Sequence, residues 1–149
     1  MKKFILFFIT FFVLGCSSIQ KNVSFSKIDK NESISILPFK NFSETPYAGI
    51  KAALITEGVL KSKGFKVIKA YSVKNYKITK KNISSYYVLS GKVIEWRYKT
   101  GIDAQPVVSL YIQIRDKKGE VVYSGLVSKS DLGNKSVGIC AEEAVEDIF

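Results

Sequence analysis

The chain lacks histidine entirely, and it contains only two cysteines, three prolines and one tryptophan among its 149 residues. The absence of histidine removes the commonest general base and the commonest metal ligand of proteins. Two cysteines are too few for a disulfide framework or for a zinc site made of thiolates. The sequence also contains no glycine-rich phosphate loop and no serine nucleophile elbow. We therefore expect no metal, no cofactor and no enzymatic activity, and we interpret the chain as a binding or structural protein.

The N-terminal segment has the order of an export signal. The first sixteen residues read MKKFILFFITFFVLGC, with two lysines, an apolar run that ends at Leu14 and the small residue Gly15. A charged start, a short apolar run and a small residue before the cut are typical of such signals. A membrane-spanning helix needs about 20 apolar residues, and polar residues resume at Ser17. We predict that residues 1–15 are a signal peptide.

The end of this signal carries a more specific motif. Val13-Leu14-Gly15-Cys16 resembles the lipobox of bacterial lipoproteins. The resemblance implies that Cys16 receives a diacylglyceryl group, that the chain is cut before Cys16 and that the new amine is acylated. Two or more acyl chains give stable anchoring. By resemblance to Gram-negative sorting, the non-acidic Ser17 favours the outer membrane, on its periplasmic face. The alternative is an ordinary signal peptide followed by a chance cysteine.

The chain is strongly basic, with a formal net charge of +10 that falls to +8 once the two signal lysines are removed. Such a charge often indicates a nucleic-acid or membrane-binding protein. Export argues against nucleic acid and favours anionic lipid headgroups or glycans. Eight lysines and no acid lie between Lys61 and Lys81. They indicate either a solvated surface or a surface that docks on headgroups or on an acidic partner.

The sequence after the signal predicts a tether and one α+β domain. Residues 16–31 are polar and aperiodic and predict a lipidated tether, and residues 32–149 predict the domain. Thr45 followed by Pro46 predicts a helix start, and Gly64 predicts its end. We predict helices over about 45–63 and 136–148, and strands over 33–39, 65–70, 86–98, 107–115 and 120–128, with residues 71–85 irregular. This is one mixed sheet of about five strands, packed by two main helices.

The last helix places its apolar residues on one side and four acids on the other. With Cys16 lipidated, Cys140 has no partner within the chain, and its apolar position predicts a small buried side chain. The alternatives for Cys140 are an intermolecular disulfide or a reactive thiol. The acids Glu142, Glu143, Glu146 and Asp147 predict either a solvated face or a contact with a basic neighbouring subunit.

The segment from Glu95 to Pro106 contains the only tryptophan and ends in a compact loop. Strand alternation places Trp96 and Tyr98 on one face and Glu95 and Arg97 on the other. The two rings are either core residues or amphipathic side chains that cover a neighbouring subunit or the lipid interface.

Several motifs together resemble a known fold group. Ile36-Leu37-Pro38-Phe39-x-Asn41, the helix end at Lys63-Gly64, and Tyr87-Val88-Leu89-Ser90-Gly91 resemble the fold shared by the TolB N-terminal domain, LpoB and CsgG. The string Gly91-x-Val93-x-Glu95-Trp96-x-Tyr98-x-x-Gly101-x-Asp103-x-x-Pro106 is similar to the PelC family, the outer-membrane lipoproteins of Pel exopolysaccharide export. The resemblance extends from about Ser33 to the C-terminus.

The PelC resemblance implies a homo-oligomeric ring beneath the outer membrane that guides polysaccharide towards a β-barrel exporter. It implies that Asp103 faces the lumen, because an acid in this loop contributes to a negatively charged funnel in that family. A tryptophan after the last strand is thought to face the membrane in the family, and Leu132 stands nearest to that position here. Leu132, Trp96 and Tyr98 are then the expected subunit or membrane contacts.

Two other functions remain open at this point. An LpoB-like lipoprotein that activates a peptidoglycan synthase has the same fold, and it would use the lysine-rich stretch as its contact. The short tether disfavours it, because such a regulator must reach across to the inner membrane. A carboxylate-based hydrolase that depends on Asp103 is the third alternative.

Overall fold

The computed structural model describes residues 17–21, 25–74, 77–98 and 105–149. Within them the helices are Ala48–Ser62 (α1) and Val137–Ile148 (α2), and Phe25–Lys27 forms one turn of 3-10 helix. The strands are Ser17–Lys21 (β1), Ser33–Ile36 (β2), Lys40–Asn41 (β3), Lys66–Lys69 (β4), Tyr71–Lys74 (β5), Lys77–Lys80 (β6), Tyr87–Arg97 (β7), Val107–Arg115 (β8) and Val121–Ser130 (β9).

Most of the strands form one mixed sheet in the order β1-β9-β8-β7-β2-β4, with β3 beside β7. Strand β2 runs parallel to both β4 and β7, whereas β7, β8, β9 and β1 are antiparallel neighbours. The predicted α+β class with a mixed sheet and two helices is confirmed. The sheet has seven strands where about five were expected, because the short strands β1 and β3 lie in polar segments without a clear alternation.

Both helices pack on the same face of the sheet, α1 over β7 and β4 and α2 over β8 and β9. The inward side chains of β8 are fully buried, as the alternation predicted: Val108, Leu110, Ile112 and Ile114. Helix α2 also packs as predicted. Its N-cap Ser136 accepts a hydrogen bond from the backbone N–H of Ile139, and its apolar side, including Cys140, is fully buried. The outer face of the sheet carries no helix in the described residues.

Helix α1 differs from its prediction in its start, and the one-turn spacing of Ile50, Leu54 and Gly58 does not mark its buried side. The Thr45 hydroxyl does not cap the helix; it donates a hydrogen bond to the carbonyl oxygen of Trp96, 2.5 Å away. Leu54 and Gly58 are exposed, and the buried residues include Ala52, Ala53, Thr56, Val59 and Leu60. Small alanines let α1 lie close to the sheet, and this choice of face depends on the partner surface rather than on the helix sequence. Gly64 ends the helix at φ +86°, as expected.

Phe39 holds α1 against β7. Its ring lies on Gly91, where a β-carbon would stand 2.5 Å from two ring atoms. Its carbonyl lies against Gly49 of α1 so closely that a β-carbon there would overlap the oxygen. The backbone N–H of Phe39 also donates to the carbonyl of Gly49. This close contact explains the glycine at position 91, and the β-bulge of β7 lies further along the strand, between Val93 and Glu95.

The stretch predicted as a tether is structured in its described residues. β1 pairs with β9 along its whole length. The Phe25 ring packs on Phe65 and Phe149, with centroid separations of 5.0 and 4.6 Å, and Ile28 is buried. The basic stretch 71–85, predicted to be irregular, contains the β5–β6 hairpin. Both differences arise from hydrogen bonds between backbone groups. Polar side chains permit such pairing, but they leave no hydrophobic alternation in the sequence that would predict it.

Candidate functional site

Strand registers bring the ends of four strands to one end of the sheet. Ser17 of β1 lies opposite Lys129 of β9, and the final residue of β9, Ser130, lies opposite Val107 of β8. Arg97, the final residue of β7, also lies opposite Val107. We call this end of the sheet, formed by Ser17, Arg97, Val107 and Ser130, the anchor end. The expected lipidation site, Cys16, precedes Ser17 in the sequence and lies outside the described residues.

The segment from Phe42 to Tyr47 runs beside the last part of β7 towards the anchor end. The N–H of Phe42 donates to the carbonyl of Val93, and Thr45 reaches Trp96 as described above. Asn41, the last residue of the first motif, shapes this segment. Its amide group donates to the carbonyl of Thr45 at 2.8 Å and accepts from the N–H and hydroxyl of Ser43. The segment leaves the Phe42 ring 62 % exposed.

Trp96 lies in the hydrophobic core and is only 3 % exposed. The bulge between Val93 and Glu95 inserts one residue into β7, and it leaves Ile94 exposed while Trp96 points towards the helices. Of the two interpretations of this ring, the core one therefore holds, and the single chain leaves its ring no exposed surface for a subunit or a membrane.

Tyr98 lies just beyond the end of β7 and is exposed. The ammonium group of Lys51 on α1 donates a hydrogen bond of 2.7 Å to its hydroxyl. This hydrogen bond lowers the pKa of Tyr98. The contact fixes the direction of the ring at the surface, and the role of Tyr98 as a subunit or membrane contact stays a prediction.

Leu132 is 74 % exposed, more than any other large apolar side chain in the described part of the chain. The loop that carries it is held by Asp131, whose carboxylate accepts hydrogen bonds from the N–H groups of Gly133 and Lys135. The N–H of Asp131 donates to the carbonyl of Pro106. These hydrogen bonds fix the loop that carries the exposed Leu132 side chain.

Two lysines connect this loop, β9 and α2. Lys129 lies 3.3 Å from a Glu143 oxygen and 2.9 Å from an Asp147 oxygen, and Lys135 lies 2.7 Å from Glu143. Burial opposes the charge of Lys129, but the hydrogen bonds to Asp147 and Glu143 outweigh it and raise its pKa. The hydrogen bond from Lys135 lowers the pKa of Glu143. Two of the four acids of α2 are thus paired within the chain, instead of forming a solvated face.

Four exposed apolar side chains therefore lie at the anchor end: Phe42, Tyr98, Leu132 and Tyr47, the N-cap residue of α1. Amphipathic aromatic and leucine side chains beside lysines suit the boundary between lipid headgroups and acyl chains. Sequence reasoning missed Phe42 and Tyr47, although Phe42 directly follows the motif that ends at Asn41. Asp103 lies outside the described residues, between the end of β7 and the start of β8 in the sequence.

Other features of the described residues that bear on function are a free thiol, the arrangement of the acidic side chains and the length of the helices. Cys140 is a buried free thiol, and burial raises its pKa. Within residues 17–21, 25–74, 77–98 and 105–149, no three cysteine or acidic side chains cluster in a way that could hold a metal ion. Neither helix of this part of the chain is long and apolar enough to cross a membrane.

The fold is similar to that of PelC. A PelC dodecamer from Paraburkholderia phytofirmans matches with a TM-score of 0.74 and 23 % identity, over 89 % of this chain and 95 % of that one. A single-substitution variant of that dodecamer matches with a TM-score of 0.75 and 26 % identity, over 89 % and 94 %. Lipoprotein GNA1162 from Neisseria meningitidis matches with a TM-score of 0.55 and 17 % identity, over 78 % and 96 %. No protein-family model and no curated protein sequence matches the chain.

Proposed function

We propose that this protein is an outer-membrane lipoprotein that forms a homo-oligomeric ring in a Pel-type polysaccharide export apparatus and has no enzymatic activity. The likeness to the PelC dodecamers, which extends over nearly the whole of both chains, carries the proposal. In this proposal the ring guides polysaccharide to an outer-membrane β-barrel exporter. The lipobox resemblance at Cys16 adds independent support for a membrane anchor.

The anchor end supports the proposed orientation. Lipid on Cys16 lies one residue before β1, so it holds the anchor end against the bilayer. Phe42, Tyr98 and Leu132 then contact the headgroup region, and residues 98 and 105, which flank the loop of Asp103, lie on the same side of the ring. We assign Asp103 to the lumen, where its carboxylate contacts the passing polymer.

The LpoB-like alternative receives less support from this geometry. A regulator that docks on an inner-membrane synthase needs a long tether, and β1 begins directly after the proposed lipid attachment site. The β1–β9 pairing takes up residues that would otherwise extend the reach of the domain.

The mass of the detergent-extracted lipoprotein tests the proposal. We expect a mass several times that of the protomer, and acyl labelling that Cys16→Ser abolishes. Asp103→Asn should reduce polysaccharide export while the mass of the assembly stays unchanged. A strict monomer at high protein concentration would contradict the ring, and full export by Asp103→Asn would contradict the lumenal role of that carboxylate.

A further inference from the structure

The outer face of the sheet, opposite the helices, forms a shallow basic groove of about 670 Å³. Its apolar part includes Leu37, Ile94 and Leu126. Three exposed cations, Lys40, Lys92 and Arg115, line the same groove. A sheet face that combines half-buried apolar side chains with cations is a surface suited to contact another protein layer.

The three cations of this groove lack acidic partners within the described chain. The Lys92 ammonium lies 5.6 Å from the Tyr111 ring centroid, and Arg115 donates to the side chain of Gln113 and to the carbonyl of Gly119. The Lys40 ammonium lies 5.8 Å from the Phe42 ring centroid. None of the ion pairs among described residues includes one of the three cations. Their charge is therefore available to an acidic partner.

The helical face carries the complementary charge. A groove of about 400 Å³ lies between α1 and α2, with Ile55, Gly58 and Val59 on one side and Glu142 and Glu146 on the other. Glu143 and Asp147 are paired with lysines of their own chain, whereas the ion pairs of the described residues include neither Glu142 nor Glu146. The two exposed acids thus leave this groove negatively charged.

Gly58 provides a second observation at the helical groove. It lies inside α1, where glycine is less favourable than alanine, and a β-carbon on Gly58 would meet no atom of the described residues within 4 Å. The other glycine of α1, Gly49, is required by its contact with Phe39. No contact within the described part of the protomer requires a glycine at position 58. A glycine of this kind is explained when another molecule approaches the helix backbone at that point.

We propose that the basic groove on the outer sheet face of one protomer docks onto the acidic α1–α2 groove of the next copy, with Gly58 at the point of closest approach. This inference rests on the proposed ring and identifies its interface. The two grooves lie on opposite faces of a two-layer domain. A contact between two different faces is heterologous, and it propagates from copy to copy until the rotation closes a ring.

A matched pair of substitutions at Gly58 tests the interface in the detergent-extracted lipoprotein. Gly58→Gln places a neutral, helix-favouring side chain in the groove, and we expect the dissociation constant of the assembly to rise at least about tenfold. Gly58→Ala leaves most of the groove open and should retain the wild-type mass. Both variants should melt no lower than the wild-type monomer, because both residues favour the helix more than glycine does.

Charge exchange provides an independent test. Lys92→Glu and Glu146→Lys should each weaken assembly by about fivefold or more, and both changes in one chain should restore it to near the wild-type level. A folded Gly58→Gln protein with the wild-type mass, or charge variants that reduce polysaccharide binding at unchanged mass, would overturn this interface while the ring remained intact. A wild-type protein that never exceeds the protomer mass would instead refute the proposed function.

Discussion

The position of Phe39 between two glycines allows a prediction about how the domain is held together. Its ring lies on Gly91 of β7 and its backbone carbonyl lies on Gly49 of α1. A β-carbon at either glycine creates a clash, but the atom that must move differs. At Gly91 it is a side chain that can be shortened by mutation, whereas at Gly49 it is backbone that cannot.

We expect Gly91→Ala to reduce the free energy of unfolding by about 1–3 kcal/mol, the usual cost of forcing an extra methyl group into a packed core. Phe39→Ala alone should cost about 3–5 kcal/mol, because it removes a buried ring. Combined, the two changes should cost less than their sum by about 1–2 kcal/mol, because alanine lacks the ring atoms that the new methyl group would meet. Gly49→Ala should cost about 2–4 kcal/mol, and Phe39→Ala should not reduce that loss.

Urea unfolding of the unlipidated domain, followed by circular dichroism at one protein concentration, measures these differences. A protein concentration at which the wild-type domain is monomeric keeps the free energy of association out of the comparison. Additive losses for Phe39→Ala and Gly91→Ala would refute the assigned contact between ring and glycine. A Gly49→Ala loss that Phe39→Ala relieves would show that the ring, and not the backbone carbonyl, occupies that space.

Three further results are expected. Leu132→Asp should weaken binding of the unlipidated domain to anionic vesicles by about 1–2 kcal/mol per chain, or roughly 5–30-fold; Val121→Asp, an equally apolar change at the other end of β9, should leave binding nearly unchanged, and equal effects would contradict the anchor end. The thiol of Cys140 should resist alkylation in the native protein at pH 8 and react on unfolding, because it is buried and burial raises its pKa; prompt native labelling would contradict this. Because the pKa of Glu143 is lowered in the folded state, its pair with Lys135 stabilises the protein above about pH 4.5, and this stabilisation is lost as the pH falls through the folded pKa. The urea midpoint of Glu143→Gln should therefore fall less between pH 5 and 3 than that of the wild type. An identical fall would show that this pair does not contribute to the pH dependence of stability.

The sequence was most informative where one local rule decides the structure. β8 occupies the predicted residues 107–115, because nine residues alternate without interruption between a core and a solvent face. The last helix was predicted to within one residue, because Ser136 is a strong cap and its apolar stripe is continuous. Gly119 lies between β8 and β9 and adopts φ +83°, a conformation that glycine takes more readily than other residues.

The sequence was least informative where contacts with residues distant along the chain determine the local structure. β1 is polar and is a strand only because β9 offers it an unpaired edge. A bulge with no sequence marker turns Trp96 into the core. Leu54 is exposed because the side of α1 that carries Ala52 and Ala53, and not the side that carries Leu54, packs on the sheet. Of the candidate site, Tyr98 and Leu132 lie at the surface. Their role as subunit or membrane contacts stays a prediction, as do the roles of Cys16 and Asp103.

The start of β1 at Ser17 has a consequence for assembly. A lipid on Cys16 leaves one residue of slack, roughly 3.5 Å of chain, between the bilayer and a strand of the rigid sheet. In the proposed lipoprotein, so short a connection would hold every protomer with the same end towards the lipid, so that association would cost little further rotational entropy. Confinement of this kind raises the effective concentration of neighbours. A flexible linker inserted between Cys16 and Ser17 would leave every contact between protomers in place, and we expect it to slow assembly because it lowers their effective concentration.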